Sequence, residues 1–497
     1  MKRFIAQQDL NAETRFVPEK VIPKVDGEFE EKIAIIGGGP AGLSCAYYLA
    51  EKGYRPTVFE KEKQPGGMLM HGIPEFRLEK DVIEAEIDVL RALGVEFHCG
   101  VEVGRDVTIP ELREQGYKGF YVAIGLQSGG KLGVPGEDAA GIETAVHLLR
   151  TVGGDESRKM TGKTVVIGGG NVAVDCARTA VRFGSDNVGM YCLESRETMP
   201  ASVNEIIETL EDGISINNGW GPKEILKDEK GNVKAVVFKK CLSVIDPKTN
   251  RFNPQYDEND TITVEAQHVI FAIGQSVVWN DLLKGTKVEF HHGNYPVADS
   301  LTYQTAEPDI FVGGDVYSGP KFAIDAIEAG KNAAVSLHRF VQPGTSMTIG
   351  RNRRQFVELD KDNIVIDSYD TAGRQEAKEL DGDKHSFRDL HGTLTEEQVR
   401  IEASRCLGCG ASIVDENKCI GCGICTTKCE FDAIHLHREH PECSKMSRSE
   451  DKFKEILPYA IKRGMKIAFG KKTPEEKASQ KRHKAAKKAA KQAKKDK

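Results

Sequence analysis

The sequence predicts an α/β protein: two domains built on parallel sheets, the second inserted in the first, and a small α+β module near the C-terminus. Three observations predict it. A β-branched run, a glycine-rich turn and a helical stretch follow one another at residue 32 and again at residue 163. The similar segments Ala123-Ile124-Gly125 and Ala272-Ile273-Gly274 bracket the second unit, as two crossings between domains would. Seven of the twelve cysteines lie between Cys406 and Cys443. At 497 residues, with 39% apolar and 29% charged side chains, the chain can fill two or three cores.

In the first unit, Lys32-Ile33-Ala34-Ile35-Ile36 reads as a strand, Gly37-Gly38-Gly39-Pro40-Ala41-Gly42 as a turn, LSCAYYLAEKG as a helix and RPTVFE as a second strand ending at Glu60. Gly37 permits the tight turn, Gly39 lets backbone approach a pyrophosphate, and Gly42 lets helix pack on strand. The helix N-terminus offers free N–H groups to phosphate, and Glu60 can accept from ribose hydroxyls. In the second unit, Lys163–Ile167 is the strand and Gly168-Gly169-Gly170-Asn171-Val172-Ala173 the turn. A helix and a strand ending at Glu194 follow, and Ala173 stands in the third glycine position. Two Rossmann-like units imply two dinucleotides, most economically FAD and a nicotinamide. Further along, the strand Ile310–Val312 runs into Gly313-Gly314-Asp315, with a helix expected near Phe322. An Asp there can meet a flavin ribityl chain, provided the segment returns to the first domain.

These units, together with Gly66–Leu78 (GGMLMHGIPEFRL), Met199-Pro200-Ala201 and GGDVYSGPKFAIDAIEAGKNAA, resemble the small subunit of glutamate synthase and its relatives. Among those relatives are the large subunit of ferredoxin-dependent NADPH transhydrogenase and the reductase half of dihydropyrimidine dehydrogenase. The resemblance covers roughly residues 30 to 340. It implies FAD in the first unit, with matching positions at Glu60, Gly67, Arg77 and Asp315, and NADPH or NADH in the second. The full candidate cofactor set adds Gly37, Gly39, Pro40, Ala41, Gly42, Met68, Val103, Gly125, Gly274 and Gly314. It is completed by Gly168, Gly170, Asn171, Val172, Ala173, Glu194 and Arg196. Relatives that use NADPH often carry two arginines where this chain has Leu193 and Glu194. A carboxylate there favours NAD, a Glu194 turned outward would not, and Arg196 can still reach a phosphate; NADH and NADPH both stay open.

Cys419, Cys422, Cys425 and Cys429 form C-x₂-C-x₂-C-x₃-C, the bacterial ferredoxin run. The flanks Val414-Asp415 and Asp432–Leu436 resemble strands of a half-ferredoxin. Zinc is the competing occupant, and the compact glycine-bearing run favours iron–sulfur. Glu430 stands where relatives usually have proline. Cys406, Cys409 and Cys443 bring the thiols to seven, one short of two [4Fe-4S] clusters. Either an Asp, Glu or His completes the second, or only one full cluster exists. Residues 393–410 resemble the helix and CxxC that open the cluster domain of the glutamate synthase small subunit.

The expected organisation is therefore an N-terminal extension (1–30), an FAD-binding domain (31–125 and 275–340) and an NAD(P)-binding domain (126–274). A linker wrapping the flavin domain (341–392), the cluster module (393–445) and a basic tail (446–497) follow. Residues 471–497 carry a charge of +9, so the remaining body is near −15, which is not a nucleic-acid-binding profile. Their Ala/Lys-rich end reads as a solvated tail or a helical docking arm for an acidic partner. No run of eighteen apolar residues predicts a membrane span, and MKRFIAQQDLNAETR lacks the core of a secretory signal. Clustered cysteines then read as metal ligands in a reducing, cytoplasmic compartment. Cys45, Cys99, Cys176, Cys192 and Cys241 read as small core residues.

The implied chemistry is a hydride exchanged between nicotinamide and flavin, and single electrons passed between flavin and clusters. No acid–base pair is needed, so no catalytic residue is singled out. His71, His98 and His147 read as packing or surface residues. A disulfide reductase is not expected, because neither GGMLMHG nor the second unit contains a CxxC. No substrate domain is visible, which points to redox partner subunits: a glutamate synthase large subunit, a flavin/NAD module, a hydrogenase, or ferredoxin in a bifurcating transhydrogenase. The competing reading is a non-catalytic wiring subunit with a vestigial nicotinamide site.

Overall fold

The β-branched run Lys32–Ile36 forms the middle strand of a five-stranded parallel sheet in this computed structural model. The order is Ile310–Val312, Tyr117–Val122, Lys32–Ile36, Thr57–Glu60, Glu96–Cys99. Its last four residues are buried because both faces are covered. On one face the helices Pro40–Glu51 and Ala323–Val341 share a core through Ala41, Cys45, Leu49, Ala333, Ala334 and Leu337. They pack so closely that a Cβ on Gly330 would stand 2.2 Å from the Ala41 carbonyl oxygen. On the other face Ile36, Phe59, Phe120 and Val122 meet Ile109, Leu112, Leu282 and Leu283. Described here are residues 1–20, 29–152, 156–246, 249–342, 344–349, 351, 372–406, 419–428, 434, 449–469, 477, 481, 484, 485 and 487. They belong to two units, Met1–Ala411 and Ser412–Lys497.

A second five-stranded parallel sheet follows the order Ile142–Thr144, His268–Phe271, Lys163–Ile167, Asn187–Cys192, Ser215–Asn218. One of its faces is covered by something sequence reasoning did not anticipate. Trp220–Lys227, Val233–Asp246 and Arg251–Glu265 form an antiparallel sheet, which lays Ile225, Val236 and Phe238 against Val165, Ile167 and Tyr191. The Tyr191 and Phe238 rings stack at 4.3 Å. The chain crosses between the parallel sheets twice, side by side. Ser128–Gly129 pairs antiparallel with Gln275–Ser276, and Gly130 N–H donates to the Gly274 carbonyl at 3.0 Å.

A wedge from the first domain completes the core of the second. Phe76, 3% exposed, packs among Leu148, Val174, Ala177 and Phe183, with the Arg182 guanidinium 4.0 Å from its ring centre and that of Arg178 at 5.0 Å. Beside it Arg77 donates to both oxygens of Asp175, at 2.6 and 2.7 Å, and lies 2.7 Å from Glu205. Burial pushes the Asp175 carboxyl up, and Arg77 is the charge that opposes it. Arg178 and Arg182 share Asp212 at 2.8 and 2.9 Å, and Arg178 also pairs with Glu208.

The expected linker differs from its sequence reading. Near its start Met347 packs on the first core, but Lys384, Ser386, Phe387 and His391 contact the second domain. Phe387 is buried there beside Phe183, ring centres 5.4 Å apart. Arg182 donates to the Ser386 and Lys384 carbonyls at 2.9 and 2.8 Å. His391 bridges Asp389 (2.7 Å) and Glu208 (3.3 Å), while Arg3 of the N-terminal helix Lys2–Leu10 reaches Asp389 at 2.8 Å. In the second unit a helix spans Lys452–Phe469 with Pro458 inside it. It precedes the Ala/Lys-rich end, most of which lies outside the described residues.

Two outcomes follow from these contacts. Arg77→Met leaves Asp175 buried without its cation and should lower unfolding stability by about 3–5 kcal/mol. Denaturant titration checks it, and a loss under about 1 kcal/mol would show the wedge to be held by Phe76 alone. Burial works against the charged His391 ring, but Asp389 and Glu208 outweigh it and hold the ring above its usual 6.5. Its stabilisation is therefore complete below that value and fades as pH rises through the folded one. Hydrogen exchange in residues 378–392, corrected for intrinsic rate, should accelerate from about pH 6 to about pH 9, and His391→Gln should flatten that dependence.

Candidate functional site

The carboxyl ends of the first sheet open onto a cavity whose floor is the first glycine turn. Gly37 has φ +105°, and a Cβ there would stand 2.5 Å from the Ala123 carbonyl oxygen. A Cβ on Gly42 would be 1.9 Å from the Gly37 carbonyl oxygen, so only glycine lets the helix start here. Gly67, at φ +55°, lies against Gly39 with no room for a side chain: its Cβ would be 2.7 Å from the Gly39 Cα. Glu60 ends a fully buried strand, and its two oxygens accept from Gly38 N–H (2.7 Å) and Glu62 N–H (2.8 Å). Each oxygen keeps a lone pair for a further donor.

Of the sequence-predicted residues, Gly37, Gly39, Pro40, Ala41, Glu60, Gly67, Met68, Val103, Gly125, Gly314 and Asp315 line this cavity. Asp315 arrives on the returning chain and opens a short helix, Asp315–Ser318, before the long one begins at Ala323. Burial raises its carboxyl above the usual value. The Met68–Ile73 wall is clipped by Lys80, whose Nζ donates to the Leu69 carbonyl (2.9 Å) and to that of Ile73; burial lowers this ammonium to about 8. Gly42 and Gly274 stand outside the lining. Arg77 does too, committed to Asp175 and Glu205 in the interdomain wedge.

The lining also holds residues the sequence reading missed, among them Gln127, Arg150 and Trp279. Gln127 follows the crossing at Gly125 closely enough to have been suspected. Trp279, one of two tryptophans, lies five residues past Gly274. Arg150 carries no local signal, because it comes from a helix of the second domain. Gln127 donates to the Ile124 carbonyl at 2.8 Å, while its Oε1 is sealed from solvent without a donor among the described residues. A glycine cradle no Cβ could enter, a cavity-lining carboxylate and an acceptor lacking its donor among the described residues fit a flavin dinucleotide.

The second turn repeats the geometry. A Cβ on Gly168 would be 2.4 Å from the Ala272 carbonyl oxygen. Gly170 caps the helix Asn171–Arg182, in which Ala173 is fully buried and Val172 exposed. Asn171 Oδ1 accepts from Ser202 N–H at 2.9 Å and Ala201 N–H donates to the Gly169 carbonyl at 3.1 Å, tying Met199–Ser202 over the turn. Glu194 is turned inward: a Cβ on Gly169 would lie 2.9 Å from its Oε2, matching the 3.1 Å between the Gly38 position and Glu60. Arg196 is exposed.

In the second unit, Cys419, Cys422 and Cys425 are exposed, as is Cys406 in the first. Gly421 and Gly423 take φ +67° and +77°, bending the chain between the cysteines, and Cys425 lies on the short helix Ile424–Lys428. Cys409, Cys429 and Cys443 lie outside the described residues, so the cluster count stays a proposal.

Fold and turns together define a reductase scaffold with two dinucleotide sites in one chain. Residues 31–330 match the pyridine nucleotide-disulphide oxidoreductase family, to which the chain belongs, and residues 412–435 match the 4Fe-4S binding domain. The NADP(+)-dependent formate dehydrogenase subunit beta of Moorella thermoacetica is 34% identical over 76% of this chain and 54% of its own. The NAD-dependent dihydropyrimidine dehydrogenase subunit PreT of Escherichia coli O157:H7 is 33% identical over 63% and 69%. The NADPH-Fe(3+) oxidoreductase subunit beta of Geobacter sulfurreducens is 29% identical over 76% and 61%. The chain thus spans about half the length of the formate dehydrogenase subunit. The fold is also that of Mycobacterium tuberculosis FprA in complex with NADPH, at TM-score 0.52, 18% identity and coverage of 63% and 84%. One chain thus joins a pyridine nucleotide-disulphide oxidoreductase scaffold to a 4Fe-4S binding domain. Despite the family's description, no cysteine lines the cavity among the described residues.

Gly42→Ala forces a methyl group onto the Gly37 carbonyl. The purified variant should lose most of its FAD, read as the flavin-to-protein absorbance ratio; full retention would place the flavin elsewhere.

Proposed function

We propose that this chain is the flavin- and cluster-bearing subunit of a cytoplasmic multi-subunit redox enzyme, oxidising NADH and passing electrons to a partner subunit. The observation that carries it is the conjunction, in one chain, of two glycine-turn sites and a four-cysteine ferredoxin run. FAD, when bound, supplies the conversion between a two-electron hydride and the single electrons that clusters carry. The chain's own residues bind and orient. The Gly37–Gly42 turn and the Pro40–Glu51 helix take the pyrophosphate, Glu60 the ribose, and Gln127 a cofactor N–H donor. Relatives divided in their names between NADP and NAD leave the nucleotide open, and Glu194 supports NADH. An inward carboxylate accepts from a ribose 2′-hydroxyl and repels a 2′-phosphate, while Arg196 points to solvent. Partners of the subunit class named in formate dehydrogenase, dihydropyrimidine dehydrogenase or Fe(3+) oxidoreductase relatives suit a chain that joins a reductase scaffold to a 4Fe-4S domain. Among the described residues no helix is long and apolar enough to cross a membrane.

Anaerobic titration tests this. NADH should bleach the flavin at a lower concentration than NADPH, with cluster signals appearing in low-temperature EPR. Glu194→Gln should narrow the gap between the two nucleotides. Preference for NADPH defeats the Glu194 assignment, and a flavin that neither nucleotide reduces leaves a wiring subunit.

A further inference from the structure

We propose that Arg150, carried by the second domain, binds the anionic adenosine-diphosphate half of FAD held by the first. Flavin occupancy and the seating of one domain on the other then depend on each other. Arg150 stands in the last turn of the helix Ala145–Val152, whose Leu148, Leu149 and Val152 are sunk in the second core. Its backbone position is therefore fixed by that domain. Its side chain nonetheless leaves the core and lines the first domain's cavity beside Glu60, Lys61 and Glu62.

Its partners there are incomplete. Nη1 lies 3.5 Å from Glu62 Oε1, the far limit of a hydrogen bond. Nε is sealed from solvent and donates to nothing among the described residues. A guanidinium has five donors and no acceptor, so a buried, idle Nε–H is costly unless an anion or oxygen acceptor meets it. Glu62 N–H bonds Glu60 Oε1, so the guanidinium stands at the end of the cavity bounded by the ribose-facing carboxylate. A phosphate oxygen is the acceptor whose charge and geometry suit a guanidinium best. Linkage is reciprocal: if FAD engages a residue of the second domain, FAD must steady that domain, and the domain must tighten FAD.

The inference rests on the cavity being the FAD site, and the test separates the two. Full-length parent, Arg150→Met and Glu62→Gln are stripped of flavin and titrated with FAD. Melting of the flavin-free proteins serves as the fold control. Arg150→Met should weaken FAD binding by about tenfold to a hundredfold, the loss expected for a charge-assisted bond. Glu62→Gln should stay within about twofold of the parent, since the freed guanidinium keeps its phosphate. Hydrogen exchange adds a readout across the domain boundary: FAD should protect amides of Ala145–Val152 in the parent and not in Arg150→Met. Unchanged FAD affinity in Arg150→Met overturns the proposal, as does an equal loss in Glu62→Gln, which would make the ion pair a brace for the cavity wall. A parent that binds no FAD removes the underlying reading and the proposal with it.

Discussion

In each dinucleotide domain a glycine touches a carbonyl where no side chain fits: Gly37 against Ala123, and Gly168 against Ala272. Much follows from that contact. It draws the glycine turn against the carboxyl end of the neighbouring strand, so the following helix starts directly over the sheet edge with its N–H groups facing the cavity. It also places each turn beside a crossing, because Ala123 and Ala272 are the residues from which the chain leaves one domain for the other. The cavity floor and the crossing ribbon are set beside the same close approach.

The two domains also use carboxylates alike. Glu60 receives the Gly38 N–H, and Glu194 sits over Gly169 at a comparable distance. Glu60 rigidifies its turn from beneath through that bond and keeps lone pairs for a further donor. Rigid turns matter because a pyrophosphate is held mainly by backbone, which cannot rearrange as a side chain can.

What the sequence disclosed and what it hid divide along physical lines. Both glycine units were legible because local backbone demands leave local signatures, and the ferredoxin run because ligand spacing is a local matter. The antiparallel sheet 220–265 escaped because its alternating face packs on a distant parallel sheet, and alternation alone does not name the partner. Residues 341–392 read as a polar linker, since one phenylalanine, Phe387, anchors its later part. Arg77 matched a flavin-binding position by resemblance, yet its guanidinium found a stronger partner in Asp175. Arg150 left no mark at all, because its role exists only once two domains meet.

The wedge has a bearing on how the chain comes to be assembled. Phe76 fills a space in a core whose other walls come from residues 145–214 together with Ile270 and Phe387, while the first sheet lacks its edge strand until Ile310–Val312 emerges. During synthesis each domain therefore waits on distant chain: the inserted one on Phe76 before it and Phe387 after it, the host on Ile310–Val312. The guest's core receives its last ring, Phe387, after the host's last strand, and neither is a self-sufficient folding unit.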